Sequence, residues 1–224
     1  MKIPCGKVVI SAALVATLLL LNGCSSSEPP RFYLLNPLSE GAGLEPPASE
    51  PCISLGIGPV RLPEYLDRPQ IVTRATRNEL TLAQLDRWAE PLSDTFPRVL
   101  AQNLSRLVCT KMVSVYPWRP SIPHDWRLDV AVIRMDGILG EEVVLETWWS
   151  VSGGPENKVL ATRRSRLTEP VQGKDYEAFV DAHSRAIGSL CHDIAQVITK
   201  LARENPPQKY TSLLPYSYHY LPCP

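Results

Sequence analysis

The stretch YEAFVDAHSRAIGSLCHDIAQVITKL, residues 176–201, carries the strongest periodic pattern in the chain. Tyr176, Phe179, Val180, His183, Ile187, Leu190, Cys191, Ile194, Val197, Ile198 and Leu201 recur at three- and four-residue spacing. They predict one apolar stripe along about seven helical turns. Such a stripe must be laid against something apolar, and the preceding residues supply it. Residues 127–135, 143–151 and 159–167 alternate as half-buried strands do. Their connections, Asp136-Gly137-Ile138-Leu139-Gly140 and Ser152-Gly153-Gly154-Pro155, have turn chemistry. This is a meander with a long helix to cover it.

Further upstream the same two periods repeat. Leu92, Phe96, Val99, Leu100, Asn103, Leu104, Leu107 and Val108 form a second helical face, with Ser93 or Asp94 as N-cap and Pro97 in the first turn. A strand is expected over 112–116. Residues 70–76 and 79–86 read as a hairpin joined at Arg77-Asn78, and Ile53, Leu55, Ile57, Val60 and Leu62 alternate around Gly58-Pro59. No internal repeat is visible. The expected class is α+β: a mostly antiparallel sheet with two long amphipathic helices packed on one face.

The 224 residues divide into four parts. Residues 1–23 resemble a signal peptide: Lys2 and Lys7, an apolar run over 8–21, then Leu21-Asn22-Gly23-Cys24. That run is short of the roughly twenty apolar residues a spanning helix needs. It resembles a bacterial lipobox, with Cys24 as the acylated residue; an ordinary secretory signal or a short membrane anchor are the plainer readings. In lipoproteins of this kind Asp after the cysteine retains the protein at the inner membrane. Ser25 therefore implies the outer membrane. Residues 24–51 read as a mobile tether interrupted by a short edge strand at 32–35, residues 52–204 as the folded domain, and 205–224 as a Pro- and Tyr-rich tail.

Composition excludes several functions. Lys plus Arg and Asp plus Glu both number 23, and the arginines are scattered, so nucleic acid is not an expected partner. His124, His183, His192 and His219 show no metal-ligand spacing. His183 shares a helical stripe with Cys191 and reads as a core or rim histidine, whereas His192 faces elsewhere. Glu141-Glu142 reads as a solvated hairpin tip. Neither a nucleophile elbow nor a phosphate-binding loop is present. The expectation is a protein with no catalytic residues, no metal and no cofactor.

Two strings in order, YLDRPQIVTR at 65–74 and RWAEPL at 87–92, together with the strand pair turning through Asp136-Gly137, resemble the ABC-type transport auxiliary lipoproteins. The resemblance runs from Phe32 to about Leu201. It implies an outer-membrane lipoprotein serving a trans-envelope lipid-transport system. Its partners would be a periplasmic MCE-domain protein and an inner-membrane transporter. Within the strings, Pro69 and Pro91 fix Arg68 and Glu90 in extended conformations. Trp88 and Glu90 then admit two readings. In one, Trp88 closes the core at a strand-to-helix corner while Glu90 pairs with Arg68, Arg74 or Arg87. In the other, Tyr65, Arg68, Trp88 and Glu90 form a partner surface. Leu66, Ile138 and Leu139 are further docking candidates because apolar residues at turns suit desolvated anchors. Tyr216, Tyr218 and Tyr220 of the tail are others, and a homo-oligomer is the competing use of such groups.

With Cys5 in the signal and Cys24 acylated, Cys52, Cys109, Cys191 and Cys223 remain in an oxidising compartment. Two helices on one sheet face suggest Cys109 with Cys191 and Cys52 with Cys223; the alternative is that the helical cysteines are small buried hydrophobes. Three functions stand: the transport auxiliary; another envelope-assembly lipoprotein of the secretin-pilot or lipopolysaccharide-insertion kind; and a lipid-anchored periplasmic enzyme.

Overall fold

The computed structural model describes residues 28–39, 51–119, 122–154 and 157–206. The signal region, Cys24, His219, Cys223 and the tail tyrosines lie outside the described residues. Among the described residues, eight strands and two helices follow in order: β1 (Arg31–Tyr33), β2 (Ile53–Arg61), β3 (Gln70–Arg74), β4 (Leu80–Trp88), α1 (Leu92–Leu107), β5 (Thr110–Val115), β6 (Trp126–Gly137), β7 (Glu142–Gly153), β8 (Lys158–Pro170) and α2 (Tyr176–Glu204). A single 3-10 turn, Glu64–Leu66, joins β2 to β3. The class is α+β, as the two periodicities require.

The strands form two sheets, ordered β5-β2-β6-β7-β8 and β1-β4-β3. The longest ladders, β6 with β7 and β7 with β8, are antiparallel and make the expected meander. Alternation could not reveal that β2 runs parallel to both of its neighbours, β5 and β6, or that β1 runs parallel to β4. Parallel neighbours need a crossover, and the chain between β2 and β5 supplies one that contains α1. Ile53, Leu55 and Ile57 of β2, Leu128 and Val130 of β6, and Val143, Leu145 and Trp149 of β7 are buried in the core that α1 and α2 share. Trp149 Nε1 donates to Ser165 Oγ (3.1 Å), whose hydroxyl donates to Asp193 of α2 (3.1 Å). A hydrogen-bonded chain thus fixes α2 across two strands.

The two helices are capped differently, α1 by backbone and α2 by a side chain. Helix α1 starts at Leu92 with Pro91 as its N-cap, not Ser93 or Asp94, because Pro91 is held extended and its carbonyl accepts from Asp94 and Thr95. Pro97 is consequently the sixth helical residue rather than part of the first turn, and it is buried. Helix α2 is capped by Asp175, whose carboxylate accepts from the Ala178 amide at 2.8 Å.

The disulfide pairing differs from the expectation. Cys52 is joined to Cys109, and Cys191 is a buried free thiol, so the Cys109–Cys191 pairing is wrong and Cys52 does not await Cys223. The reason lies in the parallel register: Ile53 faces Thr110, and the Ile53 amide donates to the Cys109 carbonyl at 3.0 Å. The residues just before those two strands are therefore adjacent. Burial pushes the Cys191 thiol up to about 12, partly offset by a hydrogen bond with Asn103.

The segment after β1, expected as tether, is built into the fold. Leu35 is buried in the core. The Asn36 amide donates to Ser184 Oγ (3.0 Å), the Leu38 amide to Asn103 Oδ1 (2.8 Å), and Arg106 donates to the Leu38 carbonyl. Gly188 makes room for this strap, since a Cβ there would stand 2.6 Å from a Leu38 methyl. Residues 34–39 thus lie across both helices.

Candidate functional site

The two motif strings meet. Gln70 of β3 pairs with Arg87 of β4, and the Trp88 amide donates to the Pro69 carbonyl at 2.7 Å, stitching Asp67-Arg68-Pro69 to Trp88-Ala89-Glu90-Pro91. The Ala89 amide in turn donates to the Tyr33 carbonyl at 2.9 Å, which brings β1 alongside. Between these turns opens a cleft of about 630 Å³, floored by Val60, Leu66, Trp88 and Leu92, with Phe32 on its lip. Volumes of this order suit small ligands or the anchor side chains of a partner.

Tyr65 determines where the first turn sits. Its hydroxyl accepts from the Met135 amide (3.0 Å) and donates to Asp136 (3.1 Å), and burial, with the nearby Asp136 charge, pushes it up to about 12. Asp136 is fully buried and also binds Arg74 through two hydrogen bonds (2.7 and 2.6 Å) and Arg134 through one (2.8 Å). Burial alone would raise the Asp136 carboxyl, but these guanidinium contacts outweigh it and hold it below the usual carboxylate range. Tyr65 is therefore a positioning residue pinned to β6 rather than an exposed anchor.

The other expected site residues divide between floor and rim. Leu66 and Trp88 are buried, Trp88 at 7% exposure, so Trp88 closes the core at the strand-to-helix corner and both present their cleft-facing atoms as floor. Glu90 pairs with Arg98, nearly two turns into α1, and with none of Arg68, Arg74 or Arg87. Arg68 is exposed on the rim and makes no ion pair among the described residues. Phe32 lies on the edge strand β1. Its exposure of 61% at the lip follows from alternation, because Tyr33 turns inward to donate to Asp86 at 2.8 Å.

The hairpin tip is not the free apolar knob expected. Ile138 is 37% exposed, but Leu139 packs against the core, and the Glu141 carbonyl accepts from the Val171 amide at 2.8 Å. Leu139 thus has a folding role. Glu141 and Glu142 are exposed.

A histidine cluster stands apart from the cleft. His124 Nε2 and Ser114 Oγ are 2.5 Å apart over Gly56, and Arg127 stacks on Trp118 beside them at 4.9 Å. Asp125 accepts instead from the Ser54 amide (2.7 Å), so its carboxylate does not orient the ring as a triad would require. Burial, then the Arg127 charge, lowers the His124 pKa. His183 is buried in α2, ring to ring with Phe179 at 4.7 Å.

A cleft joined from these two strings points to one family. Residues 33–195 match the family model of the ABC-type transport auxiliary lipoprotein component. The chain belongs to this family. Among curated proteins it is 27% identical over 184 residues to the intermembrane transport lipoprotein PqiC of Escherichia coli K12, covering 82% of this chain and 94% of that one. The counterpart from Shigella flexneri matches equally. The same fold occurs in a crystal structure of a Xanthomonas campestris protein, with TM-score 0.64 and 16% identity over 78% of this chain and 98% of that one. An uncharacterised protein of known structure superposes with TM-score 0.61 at 21% identity, covering 76% and 99% of the two chains. Among the described residues no helix is long and apolar enough to cross a membrane, and no group of acidic, His and Cys side chains could hold a metal ion.

Proposed function

We propose that this auxiliary lipoprotein is anchored at the periplasmic face of the outer membrane through acylated Cys24. There it would act without catalysis as the docking component of an MCE-type intermembrane lipid-transport system. Residues 1–23 would be removed as signal, residues 205–224 would extend beyond the domain, and the cleft would receive the periplasmic MCE-domain partner. The observation that carries this reading is the convergence of the two motif strings on one apolar cleft whose rim arginine, Arg68, has no ion pair among the described residues. An apolar floor with an uncommitted charge on its rim is the anatomy of a protein anchor site. The similarity to an intermembrane transport lipoprotein supports the setting.

Co-purification of the MCE-domain protein from membranes tests it. Arg68→Glu reverses an exposed charge and should leave folding intact. It should weaken recovery of the partner roughly tenfold, the size of effect a moderate interface residue produces. Undiminished recovery with both Arg68→Glu and Asp67→Lys would remove the cleft from the docking surface.

A further inference from the structure

Phe32 and Leu34 are large apolar side chains on an edge strand and the residue beyond it, 61% and 42% exposed, while Tyr33 and Leu35 between and after them turn inward. Neither outward residue contributes to the core. Their place in the chain gives them a use. Arg31 stands seven positions after Cys24, so even a fully extended chain leaves β1 no more than about 25 Å from the acylated residue. A folded unit of this length has a radius of gyration of about 15 Å, hence about 40 Å across. The leash is shorter than the body it holds. The leash therefore keeps β1 within about 25 Å of the bilayer.

We propose that the outward side of β1, Phe32 with Leu34, rests on the lipid surface and sets the orientation of the domain. The inference rests on acylation of Cys24 as proposed above. Charge selects the kind of lipid. The hollow on the other side of Phe32 from the apolar cleft, about 680 Å³, is lined by Asp175, Glu177 and Asp181, the last paired with Arg185, and by no basic residue, so it does not attract anionic headgroups. The matching surface is zwitterionic, and apolar insertion rather than basic attraction supplies the contact. Phe32 lines both hollows, so seating it on the membrane opens the apolar cleft beside the headgroups.

The test uses the full lipidated protein in phosphatidylethanolamine–phosphatidylcholine vesicles carrying a photoactivatable acyl chain. Labelled residues are mapped by mass spectrometry, and the acyl mass on Cys24 is read from the same digest. Labelling should concentrate on residues 31–35, severalfold above the peptides containing Trp148 and Val159, which are apolar groups of comparable exposure on other strands. It should fall when phosphatidylglycerol replaces the zwitterionic lipids. Phe32→Ser with Leu34→Ser should abolish the preference while leaving the melting temperature unchanged, because neither side chain is core. Acylated Cys24 with labelling spread evenly, or concentrated at Trp148 and Val159, would overturn the orientation while leaving the anchor intact. A Cys24 without acyl chains would instead overturn the anchoring reading itself. Cross-linking of residues 31–35 to a second copy in place of lipid would also overturn the inference.

Discussion

His183 makes the fold sensitive to acid, and by an amount that follows from its surroundings. The ring is buried on α2 against Phe179, its Nδ1 has no hydrogen-bond partner, and burial pushes its pKa down to about 4, opposed in part by the Asp136 charge. An unfolded histidine titrates near 6.5. Between about pH 6.5 and 4 the unfolded chain therefore binds a proton that the folded chain refuses, and stability falls as pH falls through that window. The difference of about 2.5 units corresponds to about 3 kcal/mol, fully lost only below pH 4. The perturbation is His183→Leu, which keeps an apolar side chain of similar bulk in the stripe and deprives no partner of a hydrogen bond. The assay is urea unfolding of the mature chain carrying Cys24→Ser, with and without the substitution, from pH 7 to pH 4. Carboxylates that titrate toward the acid end of the window do so in both proteins and cancel in the comparison, while Asp136, held below the usual carboxylate range, stays charged. The parent should lose about 3 kcal/mol more than the variant across the window. Parallel curves, differing by less than about 1 kcal/mol, would show that His183 charges within the fold and would refute the burial argument.

Three further outcomes are expected. Asp136→Asn leaves Arg74, Arg134 and Tyr65 around a neutral amide and should cost about 3 kcal/mol, measured by the same unfolding; a loss below about 1 kcal/mol would mean the carboxylate is not the centre of the cluster. Replacing Cys52 and Cys109 by Ser opens a link across 57 residues and should cost about 4 kcal/mol, while Cys191 should resist alkylation until the chain unfolds; ready native labelling of Cys191 would contradict its burial. Gly137→Ala places a Cβ 2.2 Å from the Glu142 carbonyl oxygen, against backbone that cannot yield, whereas Gly154→Ala meets nothing within 4 Å and is strained only by its positive φ of 77°. The first should destabilise by more than the roughly 1–2 kcal/mol that a left-handed residue costs at the second, and the reverse order in thermal melts would refute the close approach.

The elements were legible because their periods were clean. The stripe from Tyr176 to Leu201 became α2, and three alternating runs became β6, β7 and β8. What alternation encodes is which side chains share a face, not which way a neighbouring strand runs. That gap explains the disulfide error, since Cys52 and Cys109 become neighbours only once β2 and β5 are known to be parallel and in register at Ile53 and Thr110. The cleft was half legible. A hairpin over 70–86 brings its two ends together, which places Pro69 near Trp88, but the lip required β1 to join β4, and a three-residue strand leaves too few residues to show its partner. The hairpin tip misled for a different reason: Leu139 looks exposed until Val171, far along the chain, folds back against Glu141.

The strap over 34–39 suits the load that the proposed anchoring and docking would place on the domain. If the domain were held to a membrane through its N-terminal chain and to a partner through the cleft, any pull would pass through the residues just after the anchor. An exposed linker attached only by β1 would peel one hydrogen bond at a time. Here such a load would meet β1 in register with Asp86, Arg87 and Trp88, then the Arg31 and Tyr33 hydrogen bonds to Asp86, then Leu35 in the core, then the hydrogen bonds that the Asn36 and Leu38 amides donate to Ser184 and Asn103 on two different helices. Detaching the segment exposes Leu35 and strips the Asn36 and Leu38 amides of their partners. Because Ala89 also bonds to Tyr33, the same strand that takes the load forms the wall of the cleft. Tension on such an anchor would thereby be coupled to the shape of the site: Leu38→Gly loosens the strap while leaving every cleft residue unsubstituted. Weaker partner recovery from that variant, with Arg68 untouched, would show that the strap holds the cleft in its binding geometry, whereas unchanged recovery would show that β1 alone suffices.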